Sequence, residues 1–181
     1  MPPRGDMLPF EVEALVLDPT SQSPVLLLRT VAQTPPGDDA SSGESGGEAD
    51  VPQPLPIWIG IAEAAAIQAA LEGRRPARPM THDLLAAAIR QLEGELVGAI
   101  IHLLEKGTFH ASLRILQGER LVDVDARASD AVALALRCGA EILVHRSVLE
   151  AIESGRGAPG QPDELPELSN LDPDAFGEYE M

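Results

Sequence analysis

The first eight of the ten residues Thr108 to Gln117 alternate strictly between polar and apolar, and two tight-turn signals bracket the run. Phe109, Ala111, Leu113 and Ile115 fall on one face, and Thr108, His110, Ser112 and Arg114 on the other. Lys106-Gly107 precedes the run and Gly118-Glu119 follows it, and short Gly-containing loops of this kind close hairpins. The segment is therefore the middle strand of an antiparallel meander, with partners at Leu96–Glu105 and Arg120–Asp125. A two-residue loop at Gly118-Glu119 sets Arg114 opposite Asp123, Ser112 opposite Asp125 and His110 opposite Arg127, which makes a polar ladder. The same rule at Lys106-Gly107 sets His102 opposite Ala111, on the apolar side, as a core histidine.

The flanking segments supply the rest of an α+β fold: a single domain with a mixed, largely antiparallel sheet and three main helices. Phe10–Leu17 and Val25–Val31 read as strands joined by a Pro- and Ser-rich turn, and Leu55–Ile59 as a buried strand. Helices are expected at about Ala62–Glu72, His82–Glu93 and Asp130–Cys138, closed by Gly73, Gly94 and Gly139 in left-handed caps. The second carries Leu84, Ala88 and Leu92 at four-residue spacing, with Leu85 and Ile89 beside them; the third places Val132 and Leu136 on one face. A strand at Ile142–His145 and a short helix at Ser147–Glu153 complete a domain spanning residues 1–153. Within it, residues 33–54 are Pro, Gly, Ser and acid without apolar periodicity, the composition of a mobile loop. Residues 154–181 form an acidic, loosely held tail, with Leu171 and Phe176 as docking points.

Aromatic residues make up 3% of a chain that is 44% hydrophobic, so the core is built from aliphatic side chains. The single cysteine, Cys138, rules out an intramolecular disulfide and a cysteine-rich zinc site; near a helix end it reads as buried filling. The first ten residues hold no apolar run suited to a signal peptide, and no segment is apolar enough to span a membrane, so a cytoplasmic setting without membrane contact is expected. One lysine against 12 arginines, with much alanine, is the composition of a GC-rich bacterial genome. The net charge of −16 argues against a broad basic surface for nucleic acid, since phosphate binding draws on clustered Lys and Arg. Most of that charge lies outside the core: residues 54–153 hold 10 basic and 13 acidic side chains. Binding to nucleic acid must then rest on a local arginine cluster or on metal held by carboxylates.

Two segments fit such a cluster. Arg78-Pro79-Met80-Thr81-His82-Asp83 and Arg127-Ala128-Ser129-Asp130 each set an arginine shortly before an expected N-cap, Thr81 or Ser129. A helix start presents backbone N–H groups and the positive end of the dipole, and a guanidinium adds a planar donor fork suited to phosphate. The plainer alternative is capping alone, with Asp83 and Asp130 favouring the dipole and pairing with the arginines. Phosphate loops, HExxH, GxSxG and dinucleotide fingerprints are absent, and no organic cofactor is expected.

Leu55-Pro56-Ile57-Trp58-Ile59-Gly60, Glu63, Arg78-Pro79 with Thr81-His82-Asp83-Leu84-Leu85, Gly107-Thr108-Phe109 with Ala111, and Asp125-Ala126-Arg127 with Ser129-Asp130-Ala131 occur in one order. Together they resemble the bifunctional nuclease family over about residues 8–153. Ala128 departs from the family's usual proline and His110 from its common aromatic residue. The resemblance implies an α+β fold, a homodimer in many members, and hydrolysis of RNA and DNA, that is, RNase and DNase activity. The chemistry of the residues suggests His82, Asp83, Asp130 and Glu63 as catalytic candidates. Arg78, Thr81, Arg127 and Ser129 are candidates to bind phosphate, and Asp83, Asp125 and Asp130 to hold Mg²⁺ or Mn²⁺. The competing reading is a non-catalytic homodimeric module that binds an anionic ligand or a protein partner. A third is a different phosphate-ester hydrolase using the same arginines.

Overall fold

The computed structural model describes residues 6–31, 54–74 and 76–154. The proposed loop, apart from Pro54, and all of the acidic tail beyond Ser154, including Leu171 and Phe176, lie outside the described residues. Seven strands form one sheet in the order β3-β2-β1-β7-β4-β5-β6. They are β1 Met7–Leu17, β2 Pro24–Thr30, β3 Leu55–Trp58, β4 Gly94–Glu105, β5 Thr108–Gln117, β6 Arg120–Arg127 and β7 Glu141–His145. Every pairing is antiparallel except β4 with β7, so the sheet is mixed and largely antiparallel, as expected. Among the described residues four helices accompany it: α1 Ile61–Leu71, α2 Thr81–Gln91, α3 Ala128–Cys138 and the short α4 Arg146–Glu153.

The meander forms in the expected register on its outer side, with Arg114 paired with Asp123, Ser112 with Asp125 and His110 with Arg127. Arg114 donates to both carboxylate oxygens of Asp123, at 2.8 and 3.0 Å. Lys106 and Gly107 both have positive φ, 50° and 81°, the requirement of a tight hairpin turn that matches strand twist. On the inner side the register breaks. Ile101 pairs with Ala111 and Leu103 with His110, so His102 is the extra residue of a β-bulge. His102 is thus not opposite Ala111 and not in the core: it lines an open cavity of about 300 Å³ with Ile100, Ser112, Arg114 and Asp123.

The core lies between the sheet and the helices. Phe10, Leu26, Leu28, Ala99, Ile101, Ala111, Leu113, Ile142 and Val144 meet Ile67 of α1, Ala86 and Ile89 of α2, and α3. Helix α3 packs against both α1 and α2 as well as the sheet. Its run Ala131-Val132-Ala133-Leu134-Ala135 is buried without a break, so the expected single stripe through Val132 and Leu136 understates its burial. Alanines suit this position because they let flanking helices approach closely.

The C-terminal helix ends follow the expected chemistry with one exchange. Gly73 and Gly139 take left-handed φ values of 64° and 67° after α1 and α3. After α2 the left-handed residue is Glu93, with φ 58°, rather than Gly94. Gly94 is needed for space: a Cβ there would meet Ile115 and Ile89 side-chain carbons at 3.1 Å each. At the other ends, α2 begins at Thr81 with Met80 as N-cap, and α3 at Ala128 with Arg127 as N-cap. Thr81 and Ser129 therefore sit inside their first turns instead of capping them. His145 caps α4 by accepting from the Ser147 amide.

Candidate functional site

Three helix starts converge, and Asp130 joins them. It lies in the first turn of α3, where its Oδ2 accepts from Arg127 Nε at 2.7 Å. Its Oδ1 lies 3.1 Å from Nε2 of His82, in the first turn of α2. Arg127 Nη1 in turn donates to Oε1 of Glu63, in the first turn of α1, at 2.8 Å. Glu63, Arg127, Asp130 and His82 thus form one chain of contacts across α1, β6, α3 and α2. The local sequence accounts for the first-turn positions of Glu63 and Asp130, since acids are favoured there by the dipole and backbone amides.

The electrostatics match this geometry. Burial works to raise the Asp130 carboxyl, but hydrogen bonds from Arg127 and His82 outweigh it and hold the group below the ordinary carboxylate range. The Asp130 hydrogen bond also pushes the Arg127 guanidinium upward, so it remains charged. Arg127 is 67% exposed and its Nη2 makes no hydrogen bond among the described residues, while His82 is 14% exposed. A fixed imidazole thus lies next to an open, permanently charged donor.

Asp83 has a different partner from the one expected. Its Oδ1 accepts from Arg137 Nε at 2.9 Å and its Oδ2 from the Met80 amide at 3.0 Å. Burial works to raise this carboxyl, and those two hydrogen bonds overcome it. Arg137, 11% exposed, also donates to the carbonyls of Ala133 and Ala66, so one guanidinium ties α1, α2 and α3 together. Sequence reasoning missed Arg137 because a last-turn arginine reads as a dipole partner. Its seven-residue spacing from Asp130, which puts both on one helix face, was the available signal.

The remaining candidates divide. Arg78 and Thr81 are exposed ahead of and at the start of α2, with no side-chain hydrogen bond among the described residues. Ser129 is buried, 8% exposed. Asp125 stands apart from the cluster, in the polar ladder, and lines the His102 cavity. Among the described residues no three His, Cys, Asp or Glu side chains are grouped to hold a metal ion. Both oxygens of Asp83 and both of Asp130 already have partners. As arranged, Asp83, Asp125 and Asp130 do not fit a shared divalent cation. Cys138, whose thiol burial pushes up, lies half-buried against the core.

A family model described as the bifunctional nuclease domain matches residues 47–155. The chain belongs to the bifunctional nuclease family. All four members of the helix-start cluster fall inside that matched domain. Two uncharacterised proteins of Mycobacterium tuberculosis, from strains CDC 1551 and H37Rv, are each 44% identical to the chain over 117 residues. Each alignment covers 65% of this chain and 68% of the relative. No helix among the described residues of this bifunctional nuclease domain is long and apolar enough to cross a membrane.

Proposed function

We propose that the chain hydrolyses phosphodiester bonds of RNA and DNA at the Glu63–Arg127–Asp130–His82 cluster. One observation carries the reading: Asp130 holds an imidazole and an exposed guanidinium side by side. With Nε2–H donating to Asp130, the Nδ1 of His82 carries a lone pair and accepts a proton from an attacking water. Water then adds to phosphorus, the ester bond to the leaving oxygen breaks, and that oxygen takes up a proton from the imidazolium or from solvent. Arg127, through its open Nη2, neutralises the phosphate oxygens, helped by the dipole of α3. Glu63 fixes the guanidinium from its far side. Asp83 positions the turn that carries His82.

The divalent-cation expectation is a separate proposal, and no step above is routed through a metal. Cleavage of labelled RNA and DNA in Mg²⁺, Mn²⁺ or EDTA tests both. Activity that persists in EDTA supports the chemistry described, and restoration by one ion alone supports a metal requirement. His82→Ala is expected to lower cleavage ~10²–10⁴-fold, the usual effect of removing a general base. Unchanged cleavage in both His82→Ala and Arg127→Ala overturns the proposed site.

The second reading, a module that binds an anion without cleaving, draws on the two carboxylates already holding Arg127. Saturable binding of an oligonucleotide or a small phosphate ester with no product would favour it. We also place the protein in the bacterial cytoplasm as a homodimer. Cell fractionation and light scattering are the respective measurements.

A further inference from the structure

Helix α2 turns its apolar stripe outward. Leu84, Leu85 and Leu92 are 62%, 42% and 69% exposed, and Thr81 and Ala88 between them are exposed too. The stripe keeps helical spacing over three turns, about 16 Å of helix. Ala86 and Ile89, on the adjoining face, supply the contacts with the core. A periodic leucine stripe left open in an isolated chain marks a docking surface.

We infer that a second copy of this chain covers the stripe, with the two α2 helices packed antiparallel about a two-fold axis. The inference rests on the homodimer reading above and adds the interface. Charge selects this occupant and this orientation. Arg78, ahead of α2, and Glu93 and Glu95, after it, are exposed and form no ion pair among the described residues. Antiparallel packing brings each Arg78 over the partner's Glu93 and Glu95. Parallel packing would set like charges against each other at both ends. The stripe is also close to self-complementary when reversed: Thr81 comes opposite Leu92, and Leu85 opposite the small Ala88. An isologous contact needs this property, because the same patch must fit itself. Thr81 precedes His82, so the partner's Leu92 and Glu93 form one wall of the candidate site.

Sedimentation equilibrium of the full chain from about 1 to 100 µM tests this, with circular dichroism melts on every variant. Wild type is expected to be dimeric. Leu84→Glu and Leu92→Glu each weaken association at least ~100-fold while the far-ultraviolet spectrum stays that of the folded chain, because each substitution occurs twice in a two-fold interface. Arg78→Glu weakens it less, and combining it with Glu93→Arg and Glu95→Arg restores it. This rescue does not depend on the leucine variants folding. A wild-type monomer, as expected if the stripe is covered by another part of the same chain or by a different protein, overturns the inference. So does a dimer that survives both leucine substitutions, which leaves the homodimer standing with its interface elsewhere. Cleavage is measured on the same samples: a dimer that responds as expected but never cleaves strikes the nuclease reading alone.

Discussion

Arg114 and Arg127 lie on neighbouring strands and each holds an aspartate, yet they differ in every other respect. Arg114 is 13% exposed and gives two hydrogen bonds to one carboxylate directly across the β5–β6 ladder. Arg127 is 67% exposed and divides its donors between carboxylates on two different helices. The first pair is closed: its geometry follows from strand register and it leaves the guanidinium little to offer a ligand. The second is open, and its partners are brought from far apart in sequence by the fold. An ion pair fixed by local register therefore reads as architecture, and one assembled from several elements around a free donor reads as a site.

Within this comparison the largest expected effect comes from removing each arginine in turn and measuring activity. Arg127→Ala and Asp130→Ala should each cost ~10²–10³-fold in cleavage rate per folded molecule, the scale of losing a preorganised charge-stabilising group. Arg114→Ala should leave the rate per folded molecule within about twofold; a loss as large as that of Arg127→Ala would erase the distinction.

Arg137 sharpens the comparison from the other direction, since it is buried like Arg114 but joins several elements like Arg127. Arg137→Met removes the partner of Asp83 and two carbonyl contacts, and should lower unfolding stability by about 2–3 kcal/mol in urea denaturation. Arg114→Ala should cost only about 0.5–1 kcal/mol in the same measurement, because Asp123 is 43% exposed and regains water.

The smallest effect is in acid. Hydrogen bonding by Arg114 holds Asp123 low, and at Asp83 and Asp130 donors overcome the upward pull of burial. A carboxyl lowered in the folded state adds stability that is complete above its unfolded value, about 3.9, and is lost as pH falls through the lower folded value. Melting temperature should therefore fall from about pH 5 downward. The fall should be shallower in Asp83→Asn and Asp130→Asn, and parallel slopes in wild type and both variants would show that these groups do not carry the acid response.

The same contrast explains what the sequence could reveal. Register on the β5–β6 side follows from period-two alternation and a Gly-containing turn, so the Arg114–Asp123 and His110–Arg127 pairings were readable in advance. The β4 side was not. Ile100-Ile101-His102-Leu103-Leu104 has no polar alternation to report the residue gained at the bulge, and His102 changed faces. In α2, periodicity identified a leucine face with Ile89 beside it but could not say which side of the helix met the core; Ile89 and Ala86 did, and the leucines stayed exposed. The nearness of Glu63, His82 and Asp130 was legible only through family resemblance and first-turn chemistry. The contacts themselves depend on how α1, α2 and α3 cross, which no local pattern encodes. Thr81 and Ser129 were misplaced for a smaller reason: with extended residues at Met80 and Arg127, α2 starts at Thr81 itself and α3 one residue before Ser129.

The middle of the sheet has a bearing on how the protein is made. Strand β1 pairs along its first half with β7, Met7 against His145, and β7 reaches its place only after α3 has crossed over to set it parallel to β4. On a ribosome the amino-terminal hairpin must wait for nearly the whole domain to emerge before its seam can close. Pairings this distant in sequence are slow to form. Until then the apolar edge of β1 remains unprotected, and newly made chains are most open to aggregation or chaperone capture in that interval.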